Sequence, residues 1–288
     1  MTFQPLAIEP AIEPSARIGR NMFKRVSSYI EQHTGIKMPA SKAQMLEGRL
    51  MRRVRDHAFP SVDAYCEHIL SGEADDEMLR DFINAITTNK TDFFRESSHF
   101  DYIQRTILPM LEQEGRRIVR AWSAAASTGM EAYTLAMVLD QALMQQRGVD
   151  FSILATDIDT NVLEEARRGI YPSMAFDPVP ADMRRRYVAN ALDPARQEGR
   201  IIPRLRSKIA FARLNLMDSQ YPVGEAMDII LCRNVLIYFD KPTQERVIGR
   251  LCDRLRPGGH LVLGHSESIH GMNLPLATVS NTVFRKKD

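Results

Sequence analysis

Between Arg20 and Ala85, apolar residues recur at the three-and-four spacing of helices buried on one side. The pattern predicts helices over Asn21–Thr34, Ser41–His57, Ser61–Ser71 and Asp75–Thr87. Phe23, Val26, Ser27 and Ile30 mark the inward face of the first. Gly35, Pro39, Pro60 and Gly72 punctuate the run, so the stretch reads as a small all-helical domain. After Leu108, Pro109 and Gly115 the texture changes. Apolar runs at Ile118–Ser123, Phe151–Thr156, Ile209–Leu214, Met227–Cys232, His260–Gly264 and Thr282–Arg285 alternate with helical stretches, which predicts strands of a parallel α/β sheet. Tyr187–Arg213 interrupts the alternation. Within it Arg204, Arg206 and Lys208 alternate with Leu205, Ser207 and Ile209, and a period of two predicts a small antiparallel insertion. The expected organisation is a flexible tail over residues 1–18, carrying Pro5, Pro10 and Pro14, and an all-helical domain over 19–87. A linker and first helix over 88–115 follow, then an α/β domain over 116–288 with its insertion at about 187–213.

Composition narrows the function classes. Of the 288 residues, 44% are hydrophobic and 26% charged, which excludes a disordered or fibrous chain. A net charge of +2 argues against a nucleic-acid binder. There is no run of about 18 apolar residues and no basic segment followed by an apolar one, so neither a membrane span nor an export signal is expected. Cys66, Cys232 and Cys252, odd in number and unrelated in spacing, fit a reducing cytosol and suggest no zinc site.

The most informative stretch is IVRAWSAAASTGMEAYTLAMV, Ile118–Val138. Small residues between a strand and a long helix let a ligand approach the backbone at the carboxyl edge of an open sheet. With a single glycine the loop is no dinucleotide cradle, and no GxxxxGK[ST] is present. Asp157, at the tip of the second strand, is placed to accept hydrogen bonds from ribose hydroxyls, which favours an adenosine-bearing ligand. Asp159 reads as an acid at a helix start. After the fourth strand come Arg233, Asn234 and then VLIYFD; if helix begins at once, Asn234 and Tyr238 share a face, the alternative being a cap and a core aromatic. Cys232 reads as a small buried hydrophobe. TTNKTDFFRE, Thr87–Glu96, is a polar joining segment holding Asn89, Thr91 and Arg95. Residues 20–60 hold nine Lys or Arg against three acids, with Arg49, Arg52 and Arg55 along RLMRRVR. That run is a solvated helix face or a dock for an acidic partner.

TDFFRE, WSAAASTG, ATDID, CRNVLIYFD and GHSES, in that order along the chain, together resemble the chemotaxis receptor methyltransferase family known as CheR. The resemblance implies a Rossmann-like S-adenosylmethionine-dependent methyltransferase domain with a small antiparallel β insertion, preceded by a small all-α domain. It implies an enzyme that esterifies glutamates on the cytoplasmic helices of methyl-accepting chemoreceptors, leaving S-adenosylhomocysteine. By motif match the cofactor contacts fall on Asn89, Thr91, Arg95, Glu131, Asp157, Asn215, Leu216, Arg233 and Asn234. Arg95 and Tyr238 lie nearest the reacting methyl, and Arg49, Arg52 and Arg55 match a receptor-docking helix. A grip on a receptor tail peptide by the β insertion, a monomeric state, and a cytoplasmic location with recruitment to receptor arrays are also implied, with no metal. The chain departs from the family's STGEEPYS, reading STGMEAYT with Met130 and Ala132. Two other readings stand beside this one: a cofactor-sensing adaptor that binds without transferring, and a methyltransferase acting on RNA or another acceptor.

Overall fold

A computed structural model of the chain describes residues 17–144, 149–193 and 195–287, so residues 1–16 of the expected flexible tail lie outside the described residues. The chain divides into two compact units, one ending at Thr87 and the other beginning at Thr88.

The described residues of the first unit form four α-helices, α1 (Arg20–Thr34), α2 (Ala43–Asp56), α3 (Val62–Ser71) and α4 (Asp76–Ile86). Their ends follow local chemistry. Gly35 takes a left-handed φ of 74° and returns its N–H to the Glu31 carbonyl, while Ser61 and Asp75 accept from the N–H groups of Ala64 and Met78 to start α3 and α4. Phe23, Val26 and Ile30 of α1 pack with Leu46, Leu50, Val54, Tyr65 and Phe82 in one core. Arg49 spends one nitrogen on the last carbonyls of α4, at 3.0 Å from Ile86 O and 2.6 Å from Thr87 O.

The second unit begins with α5 (Ser98–Tyr102), a wide turn over Ile103–Ile107 and α6 (Leu108–Gln113). Then come β1 (Ile118–Ala124), α7 (Met130–Leu143), β2 (Asp150–Asp157), α8 (Thr160–Arg168), β3 (Ile170–Pro172), α9 (Ala181–Tyr187), β4 (Val188–Asn190), β5 (Glu198–Ile201), α10 (Pro203–Arg206) and β6 (Ile209–Arg213). β7 (Met227–Cys232), α11 (Lys241–Arg254), β8 (Leu255–Leu263), β9 (Leu276–Ser280) and β10 (Val283–Lys286) complete it. A seven-stranded sheet runs β6-β2-β1-β7-β8-β10-β9; its first five strands are parallel, and β10 pairs antiparallel with both β8 and β9. Strand alternation feeds two cores. Ala121, Ile229 and Leu231 face the α7 side with Tyr133 and Leu135, while Trp122, Ile230 and Cys232 face the α11 side with Val247 and Leu251. Cys232 is fully buried, as a small core hydrophobe would be, and burial holds its thiol protonated.

The antiparallel insertion exists, but its three strands are β3, β5 and β4, paired in that order. The period-two reading of Arg204, Arg206 and Lys208 is wrong. Pro203 opens the single helical turn α10, where its fixed φ and missing N–H do no harm, and Ile209 joins the edge of the main sheet. Arg204 and Lys208 turn to Asp140 and Asp150 at 2.7 and 2.6 Å.

Candidate active site

The parallel register sets Ala124, Thr156 and Cys232 side by side, so the segments leaving β1, β2 and β7 emerge together at one edge of the sheet. After β1 the chain turns through left-handed conformations at Ala125, Ser127 and Gly129. A side chain at Gly129 would bring its Cβ to 2.7 Å from Ala166 Cβ, so the loop closes on α8 only through glycine.

Asp157 ends β2 beneath this loop, 7% exposed, accepting the Ser127 N–H at 2.8 Å and the Asp159 N–H at 3.0 Å, one on each oxygen. Burial pushes its carboxyl up to about 6, against the pull of the Asp159, Ser127 and Ile158 N–H groups. About one of the carboxylate's four acceptor sites stays open. Asp159 caps α8 through Oδ1, as an acid at a helix start should, and its Oδ2 receives Asn89 Nδ2 at 2.6 Å. The Asn89 carbonyl in turn accepts Ser127 Oγ at 2.8 Å, which fastens the joining segment to the β1 loop.

Arg233, leaving β7, is the hub of the edge. Its side chain is 1% exposed and donates to Glu131 Oε2 at 2.9 Å, to Glu96 Oε2 at 3.1 Å and to the Arg95 carbonyl. Its guanidinium carbon lies 5.3 Å from the centre of the Phe100 ring. Glu131 also receives Ser123 Oγ at 2.7 Å. Asn234 takes a left-handed φ of 57° and donates from Nδ2 to Glu96 Oε1 at 3.0 Å. Burial alone would raise the Glu96 carboxyl; the Asn234 bond and the Arg233 charge hold it below the usual range. His99, 2% exposed, is pushed down to about 4 by burial and by Arg233, and stays neutral at physiological pH. Glu96, His99 and His265 bring three ligand-type atoms within 4.8 Å of one another, but Arg233 already supplies the cation on that carboxylate.

Glu267 holds the edge from behind. It is 6% exposed, and its two oxygens accept the N–H groups of Gly264, Asn234, Val235 and Leu236. Burial raises its carboxyl despite these four donors.

The structure therefore forms two hydrogen-bonded sets at this edge, one linking Asn89 to Asp157 through Asp159 and Ser127, the other linking Glu131, Arg233 and Asn234 through Glu96. Thr91 is half-buried in the joining segment. The Arg95 side chain donates to the Lys90 carbonyl at 2.9 Å. Asn215 shapes its own turn after β6, taking the Met217 N–H, while Leu216 is buried and its carbonyl receives the Tyr221 hydroxyl. Asn234 and Tyr238 do not share a helix face. The left-handed Asn234 breaks the chain before a single 3-10 turn over Leu236–Tyr238, and α11 starts only after the Asp240 cap. Tyr238 packs half-buried against the core of Trp122 and Cys232. Arg49, Arg52 and Arg55 belong to the other unit. Glu96, Glu267 and His99 were missed as individual residues by sequence reading; the first two lie inside TDFFRE and GHSES, whose spacing does not reveal which N–H groups an acid will meet.

Two family models match the chain: CheR methyltransferase, all-alpha domain, over residues 21–87, and CheR methyltransferase, SAM binding domain, over residues 89–285. The chain is 39% identical over 266 residues to chemotaxis protein methyltransferase 2 of Pseudomonas aeruginosa, covering 92% of each. It is 37% identical over 265 residues to the chemotaxis protein methyltransferases of Salmonella typhimurium and Escherichia coli, covering 91% of this chain and 88% and 89% of theirs.

Proposed function

The chain belongs to the CheR methyltransferase family, and we propose that it methylates glutamate side chains on the cytoplasmic helices of chemoreceptors, using S-adenosylmethionine. The observation that carries the reading is the Arg233 junction, which ties TDFFRE, the helix after the β1 loop and the post-β7 turn into one preorganised edge.

The residues there fit the cofactor. Arg233 Nε and Thr128 Oγ1 are buried with no hydrogen-bond partner among the described residues, and Asp157 keeps about one acceptor site open. Donors for a carboxylate beside an acceptor for a diol complement an amino-acid nucleoside. When bound, S-adenosylmethionine supplies an electrophilic methyl on a sulfonium and leaves as S-adenosylhomocysteine.

In this reading Asp157 accepts from the ribose diol. Asn89, Thr91, Arg95, Glu131, Arg233 and Asn234 hold the amino-acid end and its loop, and Asn215 and Leu216 border the base. Arg95 and Tyr238 position the acceptor. No residue has to remove a proton, because a glutamate carboxyl with an ordinary pKa of about 4.3 is already ionised at neutral pH. The chain's task is alignment and exclusion of water, which by orientation alone supplies up to about 7–11 kcal/mol. Arg52 and Arg55 fit docking on an acidic receptor bundle, and the β3-β5-β4 insertion fits a grip on a tail peptide. The protein acts as a cytoplasmic monomer recruited to receptor arrays.

The test is incubation with methyl-labelled S-adenosylmethionine and receptor-containing membranes, followed by mild base. Base-labile label on receptor is expected. Cofactor binding with no transfer to any receptor sinks the reading in favour of a sensor.

A further inference from the structure

At the amino-terminal half of β6, on the α7 and α8 side of the sheet, an open cavity of about 340 Å³ is lined by Tyr133, Arg167, Arg206, Ser207, Ile209 and Phe211 among others. It is not the edge described above. Asp157 ends β2, and Arg233 and Asn215 follow the carboxyl ends of β7 and β6, whereas Ile209 is the first residue of β6.

Two cations stand in its wall without acids. Among the described residues, neither Arg167 nor Arg206 has a carboxylate within ion-pair distance, although close neighbours do: Arg204 on Asp140, Lys208 on Asp150 and Arg168 on Glu164. Both heads are nonetheless held. Arg167 Nη2 donates to Phe211 O at 2.9 Å and Arg206 Nε donates to Ile201 O at 3.1 Å. One donor of each fork is thus used to fix it, and about four remain. The Arg206 stem runs over Gly169, where a Cβ would come to 3.1 Å from its Cδ and where φ is +60°. The remaining wall is made by Pro203, Ser207, Ile209 and Phe211. Tyr133, fully buried with its hydroxyl on Ala166 O at 2.7 Å, backs the half-buried Phe211 ring at 5.9 Å, and Phe211 presents the aromatic surface.

Two anchored guanidinium forks with open donors recognise a tetrahedral anion, and the Phe211 ring beside them offers a face for a flat ring. The volume is at the small end of ligand pockets. We propose that this cavity is a second ligand site, which binds a small phosphate monoester carried on an aromatic ring or base.

The experiment is calorimetric titration of phenyl phosphate into the full chain saturated with S-adenosylhomocysteine, with benzoate and inorganic phosphate titrated in parallel. Saturable binding at about 1 mM or tighter is expected for phenyl phosphate, with the two other probes weaker by about tenfold. The double variant Arg167→Gln, Arg206→Gln should lose at least about tenfold in affinity while its S-adenosylhomocysteine affinity stays within about twofold of the parent. Phe211→Leu keeps both forks and should weaken phenyl phosphate but not inorganic phosphate. Absence of saturable binding, or equal binding by the double variant, overturns the site. Benzoate binding as tightly as phenyl phosphate overturns the assignment to phosphate.

Discussion

Arg233 and Glu131 meet at 2.9 Å with side chains 1% and 11% exposed, a buried pair linking the turn after β7 to the first turn of α7. Glu96 lies on the other side of the same guanidinium at 3.1 Å. Removing the cation alone would leave two carboxylates facing each other in a low-dielectric pocket. The substitution Arg233→Met is therefore expected to cost about 3–5 kcal/mol of unfolding free energy at neutral pH. The deficit should shrink towards about pH 5 as the orphaned acids take up protons in the folded state. Urea unfolding at the two pH values reads both effects, and a deficit that does not change with pH counts against the pair as the cause.

Gly129 carries two constraints that substitution can separate. Its φ of +85° strains any side chain, and a Cβ would also strike Ala166. Gly224, at φ +70°, has nothing within 4 Å of its Cβ position. Gly224→Ala should cost only the backbone strain, about 1–2 kcal/mol. Gly129→Ala should cost more in thermal unfolding and should also weaken S-adenosylhomocysteine binding, because the β1 loop shifts with it. Equal losses at the two positions would mean that the Ala166 contact relaxes without consequence.

Asp157 couples binding to pH. Its carboxyl is raised to about 6, chiefly by burial, and a hydroxyl donor from a ribose would favour the ionised form. The ligand therefore binds the deprotonated protein better. Affinity should be level above about pH 7 and fall by up to about tenfold per unit below pH 6, as the proton has to leave first. Calorimetry of S-adenosylhomocysteine binding between these limits is the check. Asp157→Asn should bind weakly with a flat profile, and a flat parental profile would remove Asp157 from the ribose.

The helical unit and the strands β1, β2 and β7 were legible because they rest on local signals: the three-and-four spacing in α1, Gly35 and Gly72 as punctuation, and continuous apolar runs for the strands. What escaped depends on partners far along the chain. Arg204 and Lys208 alternate like strand residues, yet their positions are set by Asp140 and Asp150. Asn234 precedes an apolar run that reads as helix, but four N–H groups gathered by Glu267, 33 residues away from Asn234, hold the turn open. An acid that gathers N–H groups from two separate loops has no periodicity, so only the motif GHSES marked the place.

Arg95 separates positioning from folding. Its side-chain donation goes to the Lys90 carbonyl, and it contributes to the Arg233 junction through its backbone carbonyl, which any residue keeps. Arg95→Ala should therefore leave stability within about 0.5 kcal/mol while lowering methyl transfer. Retention of both cofactor affinity and turnover would end the positioning role.

The three arginines of α2 should divide into two classes. Arg49 is committed to the Ile86 and Thr87 carbonyls at the end of α4, whereas the Arg52 side chain is 83% exposed and Arg55 is exposed as well. Two charged hydrogen bonds lost from a helix terminus predict that Arg49→Ala lowers stability, by about 1–3 kcal/mol. Arg52→Glu with Arg55→Glu should leave the unfolding curve in place and instead raise KM for receptor membranes. That penalty should fade as salt shortens the reach of the charges to about 8 Å near physiological ionic strength. A charge-reversed pair that methylates receptor with parental KM at low salt would place the docking surface elsewhere, and an Arg49→Ala protein of parental stability would free that residue for the receptor.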